Sequence, residues 1–392
     1  MYKVLTLNNI ALAGLRRFPR ERYEVASEIT HPDAIILRSY NMHDMDIPET
    51  VAAVGRAGAG TNNIPVEALS KRGVPVFNAP GANANAVKEL VIAALMIAAR
   101  NLCDASHYVR HLKETGEALS KKVEAGKKQF VGFELPGRTL GVVGLGAIGV
   151  EVANAALALG MHVIGFDPKI TVRRAWQLDS GVAHAETLDQ LFKKADAVTV
   201  HVPLTDDTRG LVNRTRLALM NDGALLINFA RGGVVDDEAA LAALDSGKLH
   251  AYVSDFPTEA LIAHPKVVAL PHLGASTAEA EENCAVMVAD NVKDYLENGN
   301  VRYSVNFPEA RLPRLDAWRI TMANANVPNM VGQISTCLAR QGLNIEDLLN
   351  KSIGDLAYTI VDVNDEVSEK TLGEIRAIDG VLALRNLGKP VI

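Results

Sequence analysis

Residues 139–149 read Thr-Leu-Gly-Val-Val-Gly-Leu-Gly-Ala-Ile-Gly, and no other stretch restricts the fold as tightly. An apolar run the length of one buried strand passes directly into Gly144-x-Gly146-x-x-Gly149. A helical pattern over 150–159 follows. Strand, glycine turn and helix in that order belong to a parallel sheet. The spacing has a steric logic. The first glycine makes the tight turn, the second lets backbone approach a pyrophosphate, and the third packs helix against strand. The helix N-terminus then offers unpaired N–H groups and a positive dipole end to the anion. The next apolar run, 162–167, ends in Asp167, 18 residues after Gly149. Asp167 can accept hydrogen bonds from adenosine ribose hydroxyls and would repel a 2′-phosphate. NAD is therefore expected over NADP, although Lys169 and Arg173 lie close by.

The same alternation recurs on both sides of this motif. Runs 4–7, 34–37, 51–54 and 74–77 read as strands, each ending in turn or polar residues. Runs 162–167, 197–202, 224–228, 251–255 and 267–269 do the same, with helical stretches between them. A chain of 392 residues is too long for one core. The fold class expected is α/β, with two doubly wound (Rossmann-like or flavodoxin-like) parallel-sheet domains. A long helix over 277–298 carries the chain back, so the first domain is discontinuous, 1–98 with 279–306, around a second domain of 99–278. Residues 307–316 hold Pro308 and Pro313 and read as an extended linker. Beyond it, 317–392 has the order βαββαβ of a ferredoxin-like unit.

Composition removes other classes. A formal net charge of −6 argues against nonspecific nucleic-acid binding. Cys103, Cys284 and Cys337 are far apart with no paired His, so no disulfide framework and no metal site is expected. No run approaches the ~20 apolar residues of a membrane span, and the N-terminus lacks a signal-peptide pattern. A cytoplasmic protein without membrane partners is the expectation.

Three polar groups follow strands of the second domain: Arg231 before Gly232-Gly233, Glu259 after Phe256-Pro257-Thr258, and His272 after Pro271. Oxidising a 2-hydroxy acid needs a base for the hydroxyl proton, and His titrates near working pH. It needs a cation for the carboxylate, and the planar fork of Arg binds two oxygens at once. A carboxylate such as Glu259 on the other ring nitrogen would fix the His tautomer.

The segments 228–233, 256–259 and 271–277 resemble the Arg, Glu and His motifs of the D-isomer-specific 2-hydroxyacid dehydrogenases. The resemblance covers residues 1–306, and His201-Val202-Pro203 and Asp222-Gly223-Ala224 fit it too. It implies Arg231 as carboxylate binder and His272 as acid/base, with Glu259 as its partner. It also implies NAD contacts from Gly144, Gly146, Ala147, Ile148, Gly149, Asp167, His201, Val202, Pro203, Phe229, Ala230, Asp255 and Gly274. Asp255 would hold the carboxamide. Two departures stand out. Asp255 abuts Phe256 where the family has one residue between, and Ala260 follows Glu259 where the family has Pro. With the missing residue taken to lie after Asp255, the placement of Glu259 is the open point.

Residues 38–39, 56–62 and 78–83 resemble the segments of family members acting on 3-phospho-D-glycerate. That implies phosphate contacts from Arg38 and Ser39, carboxylate contacts from backbone N–H groups near Ala57 and Gly58, and reach to the phosphate end from Asn83. The other reading of Arg38 is a surface salt bridge. The implied reaction forms 3-phosphohydroxypyruvate, the first step of L-serine biosynthesis. Other D-2-hydroxyacid dehydrogenases of the family, acting on hydroxypyruvate, glyoxylate, 2-oxoglutarate or erythronate 4-phosphate, are the alternative. An NAD-sensing binding protein on the same fold is a third reading. Residues 320–387 resemble an ACT domain, a module that binds amino acids between paired copies. Asn324, Asn326 and Asn344 would then hold an effector such as L-serine, and Asn324 stands where His is often found. The other reading is that the module only holds a homodimer or homotetramer together.

Overall fold

The computed structural model describes residues 1–390. The chain forms two compact units, Met1–Asn83 with Ala278–Ile392, and Ala84–Thr277.

In the first unit, β1 (Tyr2–Leu7), β2 (Tyr23–Ala26), β3 (Ala34–Leu37), β4 (Ala53–Arg56) and β5 (Val76–Phe77) form a parallel sheet in the order β2-β1-β3-β4-β5. This is the flavodoxin-like order. The central strand β3, Ala-Ile-Ile-Leu, is buried throughout. A continuous apolar run is what a strand covered on both faces needs. The edge strand β2 was not expected from the sequence. It lies among charged residues, and burial of Tyr23 beside exposed Glu24 marks it only once the sheet is seen. The helix Ala278–Asn298 buries Cys284, Val288 and Val292 on this sheet. A Cβ at Gly55 would stand 2.8 Å from Val288 and 2.9 Å from Val292, so the glycine lets the helix lie close on β4.

The second unit holds β6 (Thr139–Val143), β7 (His162–Phe166), β8 (Ala183–His184), β9 (Ala197–Val200), β10 (Ala224–Asn228), β11 (Leu249–Ser254) and β12 (Val267–Ala269). They form one parallel sheet in the order β12-β11-β10-β9-β6-β7-β8. The strand order reverses at β6, the Rossmann-like switch point. The helix Ala84–Ala99 belongs to this unit, although the sequence reading gave residues up to 98 to the first domain. Its Val87, Val91 and Leu95 share a core with Val150, Val152 and Val163.

Back in the first unit, β13 (Trp318–Ala325), β14 (Ile345–Ile353), β15 (Leu356–Val363) and β16 (Val381–Gly388) form an antiparallel sheet in the order β14-β15-β13-β16. With the helices Met330–Arg340 and Glu369–Arg376 this is the expected βαββαβ unit. Positions 391 and 392 of its expected span lie outside the described residues. One face of the sheet buries Ile320, Met322 and Val361 under Ile334, Leu338 and Leu372. The other face places Ala323, Tyr358 and Ile360 in the core of the β1–β5 sheet. The module is therefore bound into the first unit.

The stretch 307–316 is packed, not a free tether. Phe307 is buried, and Val301 and Ala310 exchange backbone hydrogen bonds of 2.8 and 3.0 Å. Fully buried Arg319 fastens it further. Its guanidinium donates to both Asp362 carboxylate oxygens at 2.6 Å. It also donates to the carbonyls of Asn298 and Leu312 at 3.0 Å and of Pro313 at 2.8 Å. Arg385 donates to the carbonyls of Tyr295 and Leu296, and Tyr358 to that of Gly299. The last carbonyls of a helix lack partners within it, and here side chains of the module supply donors together with the Tyr2 hydroxyl, which donates to the Leu296 carbonyl at 2.8 Å.

Candidate active site

The parallel sheet of Ala84–Thr277 is in register along one line. Phe166 pairs with Val143, Val143 with Val200, Val200 with Asn228, Asn228 with Ser254, and Ser254 with Ala269. The residues that follow, Asp167, Gly144, His201, Phe229, Asp255 and Leu270, therefore emerge side by side at the carboxyl edge. Ligands of open α/β sheets bind at this edge, beside the switch point.

The glycine turn has the shape a dinucleotide needs. Gly144 has φ +89°, and a Cβ there would meet the His201 carbonyl oxygen at 2.6 Å. A Cβ at Gly149 would overlap the Gly144 carbonyl oxygen. A Cβ at Gly146 would meet nothing, and Gly146 is exposed, so the space above it is open. Gly146 starts the helix Ala147–Ala158 with no side chain capping its amides. Ala147 and Ile148 are half-buried in its first turn. Asp167 accepts from the amides of Leu145 at 2.9 Å and Lys169 at 2.8 Å, which holds its carboxylate beside the turn. These features fit NAD: an open cradle, free helix amides and an acidic residue at the end of β7.

Behind them, His201 accepts or donates through Nε2 to Thr199 Oγ1 at 2.9 Å, and its Nδ1 is buried without a partner. Burial lowers its pKa to about 3, so the ring is neutral at working pH. Val202 packs toward Gly144, and Pro203 is exposed.

Two turns carry the charged groups. After β10, Phe229 and Ala230 are buried and Arg231 is exposed. Asn228 braces this turn, donating to the Arg231 carbonyl at 3.0 Å and accepting from the Ala230 amide at 3.1 Å. The sequence reading gave Asn228 no role, and its burial is the signal that only structure supplies. Arg231 donates to the Ala230 carbonyl and has no carboxylate partner among the described residues. After β11, Asp255 is buried. Its Oδ2 accepts from the Gly274 amide at 3.0 Å, and its carbonyl accepts from the His272 amide at 3.0 Å. Its Oδ1 is buried with no partner, a place for a carboxamide N–H. Burial pushes the Asp255 carboxyl above its usual range, and the Gly274 amide and the nearby charges of His272 and Arg231 oppose this. Asp255 thus braces the loop of His272, which sits exposed at φ +43° in the left-handed region. Such strain in a non-glycine residue persists only where neighbours fix it.

Glu259 differs from expectation. It is exposed, opens the short helix Glu259–Ala263, and makes no hydrogen bond to His272. Asp255 runs directly into Phe256, whose amide donates to Ser254 Oγ at 3.1 Å. The turn is tight, and the Phe256 ring faces the imidazole at 4.7 Å between centroids.

In the first unit, Arg38 and Ala57 follow β3 and β4, whose ends Leu37 and Arg56 pair. Arg38 Nη2 meets Glu281 Oε1 at 2.7 Å, and Ser39 is exposed. The amides expected to receive a carboxylate are already used: Ala57 donates to the Leu37 carbonyl and Gly58 to that of Arg56, both at 2.8 Å. The amides of Ala59 and Gly60 have no acceptor among the described residues. Asn83 keeps a buried Oδ1 without a partner.

The module carries a recess of about 150 Å³ lined by Asn324, Asn326, Asn329, Met330 and Asn350, among others. Asn324 is buried and bonded to the Ala325 carbonyl and Thr359 Oγ1, and Asn326 donates to the Gly354 carbonyl. Asn344 is not part of this recess. Its amide bonds to Asn364 Oδ1 elsewhere on the module. Among the described residues no group of side chains is arranged to hold a metal, and no helix is long and apolar enough to cross a membrane.

The family described as D-isomer specific 2-hydroxyacid dehydrogenase, NAD binding domain, matches residues 92–274. The chain is 33% identical to D-3-phosphoglycerate dehydrogenase of Escherichia coli over 86% of this chain and 82% of that one. It is 35% identical to D-3-phosphoglycerate dehydrogenase of Methanocaldococcus jannaschii over 87% of this chain, and spans 63% of that longer protein. Among solved structures, the TT0316 protein of Thermus thermophilus is similar with a TM-score of 0.62 at 29% identity, covering 77% of this chain and 99% of that one. NAD-bound 3-phosphoglycerate dehydrogenase of Entamoeba histolytica shares the fold, with a TM-score of 0.59 at 24% identity, covering 78% and 98%.

Proposed function

We propose that this chain, which belongs to the D-isomer-specific 2-hydroxyacid dehydrogenase family, oxidises 3-phospho-D-glycerate to 3-phosphohydroxypyruvate with NAD, the first step of L-serine biosynthesis. The observation that carries the reading is the row of strand ends in Ala84–Thr277. There a dinucleotide turn, an arginine without a carboxylate partner among the described residues and a histidine on a strained turn follow strands of one sheet.

NAD, when bound, supplies the acceptor for the hydride of the substrate C2. The chain does the rest. The Gly144–Gly149 turn and Asp167 would hold the cofactor, and the unpartnered Asp255 Oδ1 would accept from its carboxamide. Arg231 takes the substrate carboxylate, and His272 takes the hydroxyl proton as the C2 oxygen becomes a carbonyl. The charged imidazole then sits near the Asp255 carboxylate, which stabilises it. Glu259 serves as the partner of His272 only if the 256–259 turn moves. Arg38, Ser39 and Asn83 receive the phosphate. Backbone N–H groups near Ala57 and Gly58 are proposed as donors to a substrate carboxylate.

The module is proposed as an ACT-like amino-acid site, with Asn324 and Asn326 at its recess and L-serine as effector. Pairing of modules would make a homodimer or homotetramer, which sedimentation reads directly. L-serine added to the assay should lower the rate of the full chain.

The test is NADH absorbance with purified protein, NAD and 3-phospho-D-glycerate, run beside His272→Ala. Turnover should fall by about 10²–10⁴-fold in the variant. No turnover of 3-phospho-D-glycerate or of phosphohydroxypyruvate, with turnover of unphosphorylated 2-hydroxy acids, would remove the substrate and keep the reaction class.

A further inference from the structure

Four side chains converge where β3, β4 and the helix Ala278–Asn298 meet. Arg38 pairs with Glu281 at 2.7 Å, and both side chains are 39% exposed. The Arg56 Nε donates to the Arg38 carbonyl at 3.1 Å. Cys284 lies one turn along the helix from Glu281, and its thiol feels Arg56, Arg38 and Glu281 together. Arg38 is thus paired by Glu281, and a second guanidinium, that of Arg56, is held close by through its bond to the Arg38 carbonyl.

We infer that Glu281 is a specificity-determining residue, a carboxylate that competes with the substrate's phosphoryl group for Arg38 and so sets how tightly a phosphorylated acid is held. The inference rests on the phosphate role proposed for Arg38. A planar guanidinium has five N–H donors. Glu281 occupies Nη2 and leaves the rest of the fork for a second anion, so it orients Arg38 toward the ligand. The same carboxylate repels that ligand. A phosphate dianion held by Arg38 would lie within a few ångströms of Glu281, on partly exposed side chains where solvent screens but does not cancel the repulsion. An unphosphorylated 2-hydroxy acid brings no charge to this point and is indifferent to Glu281. The residue therefore acts on one class of substrate. It lowers phosphate affinity, and this favours release of a phosphorylated product.

Glu281→Gln separates charge from orientation, because the amide oxygen still accepts from Arg38 Nη2. In the variant, KM for 3-phospho-D-glycerate should fall on the order of fivefold. The kcat and the KM for D-glycerate should stay within about twofold. An unchanged or raised KM for the phosphorylated substrate, or an equal fall for both substrates, overturns the inference. A second measurement keeps it independent of the proposed reaction: calorimetric titration of the NAD-loaded protein with inorganic phosphate. Glu281→Gln should bind phosphate several-fold more tightly than the wild type, and this gain should vanish in Arg38→Gln/Glu281→Gln. If the wild type fails to oxidise 3-phospho-D-glycerate, the substrate reading fails and the phosphate titration still decides. Equal phosphate affinity in wild type and Glu281→Gln overturns the role of Glu281.

Discussion

Asp362→Asn should strongly destabilise the first unit, although the site lies far along the chain from any reacting residue. Asp362 is fully buried and gives Arg319 two of its five hydrogen bonds, both at 2.6 Å. An asparagine keeps one acceptor and turns an NH₂ group toward a guanidinium that has only donors. The arginine charge then stays buried with three carbonyls as its remaining partners. Breaking a buried ion pair on one side costs about 3–5 kcal/mol. In a unit of about 200 residues each kcal/mol shifts the melting temperature by about 2–4 °C. The expected fall is therefore on the order of 10 °C, read by scanning calorimetry as the transition of the Met1–Asn83 and Ala278–Ile392 unit. A variant melting within about 2 °C of the wild type would refute the reasoning, because the pair would then contribute no more than an exposed one.

Gly146→Ala should leave the melting temperature unchanged and weaken NAD binding about tenfold or more, because its Cβ enters only the open cradle. Gly149→Ala should instead destabilise by about 1–3 kcal/mol, since the new methyl overlaps backbone. Calorimetric NAD titration and thermal melts separate the two. His201 has a folded pKa of about 3 against an ordinary 6.5. Its contribution is complete above pH 6.5 and is lost as pH falls toward 3, by about 1.4 kcal/mol per pH unit. Urea midpoints measured downward from pH 6.5 should fall less steeply in His201→Gln; parallel curves count against this. Burial raises the Asp255 pKa, so its charged form weakens the folded state above that pKa. Asp255→Asn should melt no lower than the wild type at neutral pH while turnover drops about tenfold or more; a lower melting temperature contradicts the account.

The parts of the fold that were legible share one property: a pattern dictated locally. Buried parallel strands are nearly continuous apolar runs, so Ala34–Leu37 and the apolar part of Ala224–Asn228 declared themselves. The glycine turn declared itself because three backbone contacts demand three glycines at fixed spacing. The edge strand Tyr23–Ala26 did not, because only one of its sides is covered. The boundary near Ala84 did not, because the Ala-rich helix is apolar enough to belong to either unit, and its packing partners decide. At the site, Arg231 and His272 were readable as residue types after strands. The bracing by Asn228 and Asp255 was not, because it consists of hydrogen bonds to main chain that any sequence offers. The position of Glu259 was not readable, because spacing alone does not say how the turn after Asp255 closes.

The donors that the module adds at the end of the helix Ala278–Asn298 have a consequence for biosynthesis. Arg319, Tyr358 and Arg385 all lie downstream of the carbonyls they cap. A ribosome delivers Ala84–Thr277 whole before any of them exists, and that unit can close on its own. The β1–β5 sheet, made first, waits for its covering helix and then for Tyr358 and Ile360 to complete its core. The part of the protein that is synthesised earliest is thus the last to reach its final packing. Nascent chains halted before residue 385 should present this unfinished face to chaperones.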